Sequence, residues 1–335
     1  MKKIFTILFF GLLCNLSFSQ YLKGRVVDAS NQPLPSTSVY YDGTTLATLT
    51  NENGEFVLAY NSKLNRPLVI SYIGYQTVYI QQYSPDQPLI ILMEVLENKL
   101  REVVIRKDRF SRKEKMKIFK ERFLGITDFG MKTVIQNEKD IEFDYDEETF
   151  TLKAYSEKPL IIINPSLGYK ITYELVDFET KFSCLSINSH AISQSYYAGL
   201  SQYEETKNSS KIEKNREKAY KGSVVNFFRN LINGVWGKNE FQLFAKGFLT
   251  NPADHFTLTF ENDKYRVAVK NQKLNSNYIA SFGLLYDGEK SQVMFATETI
   301  YIDQFGNNIS LRDVTFSGAI STKSVGDLLP LNYGM

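Results

Sequence analysis

The sequence holds only two histidines, two cysteines and one tryptophan in 335 residues. Most metal centres and nucleophile–base pairs draw on His or Cys, so those chemistries are short of parts. No Gly-x-Ser-x-Gly occurs, which removes the common serine-hydrolase signature. An excess of one charge is missing too: 39 Lys and Arg stand against 37 Asp and Glu. If Lys2 and Lys3 leave with an export signal, 37 remain on each side. No nucleic acid is expected as a partner, because that affinity rests on neutralising phosphates. Long apolar runs are absent beyond the N-terminus. Leu89–Met93 and Leu160–Ile163 have the size of buried strands, far below the roughly 20 residues of a membrane helix. What the chain has in quantity is aromatic residues, 24 Phe and 21 Tyr, which suit strands.

The first residues read as an export signal. Lys2 and Lys3 form a positive start, Ile4 to Leu13 an apolar stretch, and Ser17-Phe18-Ser19 offers small residues before a cut ahead of Gln20. Cys14 follows Leu13 rather than a small residue, so a lipoprotein cut is not expected. After cleavage Cys184 is the sole thiol, which leaves no internal disulfide. With no His or basic cluster beside it, Cys184 is expected to be buried and inert.

Tyr21 to Ile105 carries about seven short strand signals. Leu22, Gly24 and Val26 alternate with polar residues, as do Phe56, Leu58 and Tyr60, then Leu68, Ile70 and Tyr72. Asn31-Gln32-Pro33 marks a turn and Asn53-Gly54 a hairpin. Regular spacing predicts a small antiparallel sandwich.

These residues also resemble a known family. Gly24-Arg25-Val26-Val27-Asp28, Pro33-Leu34-Pro35, Ser38-Val39-Tyr40, Thr50 to Phe56 and Ile70 to Tyr75 are similar to the carboxypeptidase regulatory-like domain. The resemblance implies a transthyretin-like β-sandwich, a non-catalytic accessory found at the N-terminus of many exported proteins of Gram-negative bacteria. Leu100 to Ile105 resembles the strand that follows this domain in outer-membrane receptors, although the chain is too short for their large barrel.

From Arg106 to Arg122 nine Lys or Arg accumulate. Ser111 with Glu114 forms a capping box, Met116, Phe119 and Phe123 recur at helical spacing, and Gly125 sits at a C-cap position. A basic helix is predicted there. Asp140 to Asp146 alternates acidic and apolar residues, so strand period sets the carboxylates on one face. Complementing the basic helix is their expected use, with Lys117 and Asp144 as a representative pair.

The remainder is α+β. Strands are predicted at Thr149–Tyr155, Pro159–Ile163 and Tyr169–Phe178, ahead of a polar stretch from Ser186 to Ser210. Ser210 with Glu213 suggests a capping box opening a helix to Tyr220, and Gly222-Ser223 restarts it until Gly234. Further strands fall at 241–248, 256–261, 265–269, 278–286, 292–302 and 309–316, with hairpins at Asn262-Asp263 and Asp287-Gly288. Asn215-Arg216, Ala219 to Ser223 and Leu328 to Tyr333 resemble the region accompanying the regulatory-like domain in a group of exported bacterial proteins.

The layout expected is a signal at 1–19, a sandwich at 20–105, a basic helical connector at 106–130 and an α+β domain at 131–335. The function expected is that of a non-catalytic envelope or secreted protein, in the periplasm or at the outer membrane. Its partner is first another envelope protein and second a glycan, for which Trp236 is the stacking candidate. The alternative is the hydrolase or carboxypeptidase of the family name. Against it, His190 and His255 are followed at three-residue spacing by Ser193 and Leu258, where a zinc carboxypeptidase signature has Glu. Glu147-Glu148 and Glu204-Glu205 are adjacent and point apart on strands. No catalytic residue, metal or cofactor is assigned.

Overall fold

The computed structural model describes residues 20–60, 66–96, 109–274, 277–310 and 312–334. The segment 1–19, expected from sequence to be an export signal, and the strand expected at Leu100–Ile105 lie outside the described residues. Two compact units make up the chain, residues 20–40 with 46–96 and residues 41–45 with 109–334.

The first unit contains β1 (Gln20–Asp28), β2 (Ser38–Tyr41), β3 (Ala47–Leu49), β4 (Glu55–Tyr60), β5 (Leu68–Ser71), β6 (Val78–Ile80) and β7 (Leu89–Met93). They form two sheets of order β4-β1-β7 and β3-β2-β5-β6. Period-two alternation drives the packing. Leu22, Val26, Phe56, Leu58, Ile91 and Met93 are buried from one sheet, with Val39, Leu68 and Ile70 from the other.

The sandwich departs from the sequence reading in two places. β7 runs parallel to β1, from Gly24 opposite Leu89 to Asp28 opposite Met93, because the chain re-enters the first sheet from the end where β1 began. Asn53-Gly54 closes no hairpin: β3 and β4, on either side of it, belong to different sheets. The Asn51 side chain accepts from the amides of Asn53 and Glu55, and the Gly54 carbonyl accepts from Val26 N at 2.8 Å. Gly54 has φ 73°, and a Cβ there would sit 2.4 Å from the Val26 carbonyl oxygen.

In the second unit, α1 (Arg112–Phe123) is capped as predicted: Glu114 N donates to the Ser111 hydroxyl and Ser111 N to the Glu114 carboxylate. α2 (Asp128–Lys132) follows. Next come β8 (Val134–Ile135), β9 (Ile141–Asp146), β10 (Thr151–Ser156), β11 (Leu160–Asn164), β12 (Tyr169–Phe182) and β13 (Ile192–Glu205). β12 organises this sheet. Its first half pairs with β11 and its second half with β10 on one side, and β13 covers the other.

β13 is the strand hidden in the polar stretch. Most of its side chains are half-buried or exposed, and beyond β12 its only strand-like neighbour among the described residues is the short bridge of Thr44 to Gln202, so it shows no apolar alternation. Helix α1 packs into this sheet. Phe119 and Phe123 are fully buried, and the Phe119 ring lies 4.9 Å from Phe123, 5.8 Å from Phe143 and 4.7 Å from Phe178.

α3 (Ser210–Tyr220) is capped by Ser209, one residue before the predicted cap, and Glu213 turns to Arg216 instead of closing a box. α4 (Val224–Asn233) is capped by Ser223 and ended by Gly234 in the left-handed region. The last strands are β14 (Gln242–Ala245), β15 (Phe248–Leu249), β16 (Phe256–Glu261), β17 (Lys264–Val269), β18 (Ala280–Tyr286), β19 (Glu289–Phe295), β20 (Thr299–Asp303) and β21 (Val314–Gly318). They form sheets β15-β14-β18-β19-β21 and β16-β17-β20. Phe227, Phe228 and Leu231 of α4 share their core with Phe241, Phe282 and Phe295.

The single strand predicted at 292–302 is split, because β19 and β20 go to different sheets. Both predicted hairpin turns form, with positive φ at Asn262, Asp263, Asp287 and Gly288. No helix among the described residues is long and apolar enough to cross a membrane.

Candidate functional site

In the sheet β4-β1-β7 the residues that point away from the core are unusually apolar. Ile90 is 82% exposed, Leu92 54% and Val57 52%. Leu89–Met93, read from sequence as a buried strand, is thus an edge strand with an alternating face. Between these side chains β1 places two cations: Lys23 pairs in register with Val57, and Arg25 with Glu55 on one side and Ile90 on the other. β7 carries no charge, proline or bulge, the usual protections of an edge.

The basic helix and acidic strand meet differently from the expected pattern. α1 lies on the apolar face of β9, with Phe119 against Phe143, so Glu142 and Asp144 point outward and away from it. Its cations turn to the strand's flanks instead. Lys120 Nζ is 2.5 Å from Glu138 Oε1, and Arg112 donates to the carbonyls of Ile141 and Glu138 at 2.7 and 2.9 Å. Lys117 pairs with Glu121, at 3.9 Å, not with Asp144.

The motifs near the C-terminus assemble as supports. The Arg216 guanidinium is almost fully buried, donating to Leu167 O at 2.9 Å and to Glu205 at 2.6 Å, 4.2 Å from the Tyr169 ring centre. Burial pushes the Tyr169 phenol up to about 12. Asn215 donates to Ser166 O, and Arg229 donates to the carbonyls of Phe305, Leu331 and Tyr333. Each group satisfies backbone that would otherwise be unpaired.

Several cavities open in this unit. The first, about 550 Å³, is walled by Lys323, Asp327, Phe129 and Tyr286. Lys323 donates to Ala219 O at 3.1 Å and to the carbonyls of Lys218 and Lys221, where α3 ends. Burial pushes its pKa down, and burial pushes that of Asp327 up although Thr127 donates to it at 2.8 Å.

The second cavity, about 560 Å³, lies over a polar sheet face. Cross-strand rows there are Thr151–Lys181–Gln194 and Lys153–Glu179–Tyr196. Lys153 and Glu179 are 3.3 Å apart, and this bond raises the Lys153 pKa. Arg312 lies 4.6 Å from the Tyr196 ring centre and 3.3 Å from Asp177.

The remaining predicted residues are dispersed. Trp236 is half-buried, edge-on to Phe227 at 6.0 Å between ring centres. Cys184, expected to be buried, is exposed in the turn after β12. Glu204 pairs with Lys170 and Glu205 with Arg216. Glu147 lies 3.4 Å from Arg109, and Glu148 is exposed. His190 is exposed. Among the described residues no group of three or more His, Cys, Asp or Glu could hold a metal ion.

His255 Nε2 lies 2.8 Å from the Thr250 hydroxyl, with its ring 4.9 Å from Phe282. Burial lowers its pKa and Lys270 adds to this, with Asp254 opposing. The neutral ring is favoured in the fold, so stability should be full above the unfolded pKa of about 6.5 and fall as pH drops below it. Urea midpoints followed by the emission of Trp236, the sole tryptophan, should show this decline between pH 7 and 5. In His255→Gln the same curve should be flatter.

Residues 22–105 match the family model described as the CarboxypepD_reg-like domain. No curated protein matches the chain. A type II cohesin–X-dockerin complex from Acetivibrio cellulolyticus, an N-terminal interface mutant, is similar at 21% identity with a TM-score of 0.20. That match covers 23% of this chain and 58% of the other, so the chain spans less than two thirds of its length. The described residues within that match form the strands and turns of the sandwich, so the first unit matches the CarboxypepD_reg-like domain.

Proposed function

We propose that the protein is exported and acts without catalysis, binding another envelope protein through the β4-β1-β7 face of its CarboxypepD_reg-like domain. One observation carries this reading: Ile90, Leu92 and Val57 project outward around Lys23 and Arg25, on a sheet whose edge strand is uncharged. Soluble monomers seldom leave such apolar surface open, and where they do it marks a contact site. The matching partner surface presents apolar side chains framed by carboxylates.

Two measurements follow. Intact mass of the protein from envelope or culture fractions should begin at Gln20, with no lipid on Cys14; a retained N-terminus or a diacylglycerol adduct would contradict export by this signal. Pull-down from envelope fractions should recover a partner with the native chain and lose it with Ile90→Asp/Leu92→Asp. Equal recovery by both chains would contradict the assigned face.

A glycan is the second reading, favoured by the polar platform under the 560 Å³ cavity, where Tyr196 and Gln194 stand beside Lys181 and Glu179. Tyr196 lines this cavity and Trp236 does not, so Tyr196, with Arg312 over its ring, is the stacking residue of this reading. Polysaccharide-array binding that Tyr196→Ala abolishes would favour this reading.

A further inference from the structure

Among the described residues β16 is a free edge of its sheet, and its side chains are unusual for that position. Phe256, Leu258 and Phe260 share the face of Val269, Val267 and Tyr265, their partners on β17, and so belong to the core face. Val267 and Val269 are buried there, yet Leu258 is 38% exposed and Phe260 55%. Phe256 is buried against Phe282 and Phe295, so the apolar face is left uncovered at Leu258 and Phe260. Between 256 and 260 no charge, proline or bulge protects it.

The backbone fixes which groups are open. Glu261 and Lys264 close the two-residue hairpin, and Lys270 N donates to His255 O. Residues 255, 257, 259 and 261 therefore bond to β17. Phe256, Leu258 and Phe260 direct their N–H and C=O groups away from it, since the two sets alternate in an antiparallel ladder.

The sequence of the open edge is a palindrome, Phe256-Thr257-Leu258-Thr259-Phe260. We infer that β16 pairs antiparallel with β16 of a second copy, about a two-fold axis through Leu258. In that register Leu258 faces Leu258, Phe256 faces Phe260 and Thr257 faces Thr259. The facing pairs 258–258 and 256–260 are those with open backbone groups, and each exchanges two hydrogen bonds. Like side chains then meet on both faces: Phe260 of one copy lies beside Phe256 of the other, and the threonines align on the outer side.

At the ends, Glu261 comes level with His255 of the second copy, where Lys270 supplies positive charge and Asp254 opposes it. A slip of one residue would oppose open backbone groups to closed ones and turn the apolar face outward. The two three-stranded sheets join into one, as isologous contacts require. A contact this small belongs to the weak end of specific interfaces.

Sedimentation of the purified protein from about 1 µM to about 500 µM spans that range of affinity. The mass should rise two-fold toward a dimer. Leu258→Lys should remain a single chain at every concentration while keeping the native melting curve, since the residue is part exposed. In a Cys184→Ser background, Leu258→Cys should form an inter-chain disulfide on oxidation, because facing Cα atoms about 5.5 Å apart fit that bond. Dimerisation abolished by Leu258→Lys together with the 258–258 cross-link is the result expected. A monomer throughout, a dimer that survives Leu258→Lys, or failure to cross-link would each overturn the pairing.

Discussion

Phe119→Ala should destabilise the second unit by about 3–5 kcal/mol, the range for removing a large ring from a closed core. The ring is fully buried and touches Phe123, Phe143 and Phe178, which come from α1, β9 and β12. No single neighbour can close the gap, because each is held by its own element. For a unit of this size the loss corresponds to a fall in melting temperature on the order of 10 °C. Trp236 lies in the same unit, so its emission follows that transition. A shift below about 2 °C would mean that α1 is a loosely attached connector, as the basic composition of 106–130 suggested, and not part of this core.

Gly326→Ala should be as damaging for the opposite reason, too much matter in a closed space. A Cβ on Gly326 would lie 2.5 Å from the Gly130 Cα and 2.6 Å from the Leu124 carbonyl oxygen. Both are backbone atoms, and Gly326 N also donates to Leu124 O at 2.9 Å while Gly326 O accepts from Asn164 at 2.7 Å. The methyl must break one of these bonds or push α2 away. Overpacking of side chains costs roughly 1–3 kcal/mol, and backbone that cannot turn aside places this case at or above the upper end. The urea midpoint of the Trp236 transition measures it; an unchanged midpoint would show that the 324–327 segment is not packed against α2.

The sandwich was legible because its signals are local. Alternating Phe56, Leu58, Ile70 and Val26 need only the strand period to find the core, and Ser111 with Glu114 needs only one helical turn. What escaped was non-local. Whether Asn53-Gly54 joins partners or crosses between sheets depends on where β1 lies, and that is decided by Val26 bonding to Gly54. β13 has no apolar stripe: Tyr203 and Tyr197 reach the core, and thirteen register pairs with β12 hold the rest of the strand in the sheet.

The candidate face was missed for a related reason. Leu89 to Met93 is apolar at every position, and only the packing, with one face of β4-β1-β7 on the core and the other open, leaves Ile90 and Leu92 exposed. The misassigned salt partners share one physical cause. Alternation correctly put Glu142 and Asp144 on one face of β9, but the aromatic residues of α1 claimed the other, and the lysines followed the helix. Trp236 attracted notice as the sole tryptophan, and its ring is engaged with Phe227.

The most direct test of the binding account is site-specific photo-cross-linking in the living source cell. A photoreactive phenylalanine analogue placed at Ile90 and, separately, at Leu92 should give one dominant protein adduct of the same mass from both positions. The same analogue at Thr257 or Lys153, on the second unit, should not give that adduct. Absence of any adduct at 90 and 92, or the same adduct from all four positions, would contradict a partner-binding face on the CarboxypepD_reg-like domain.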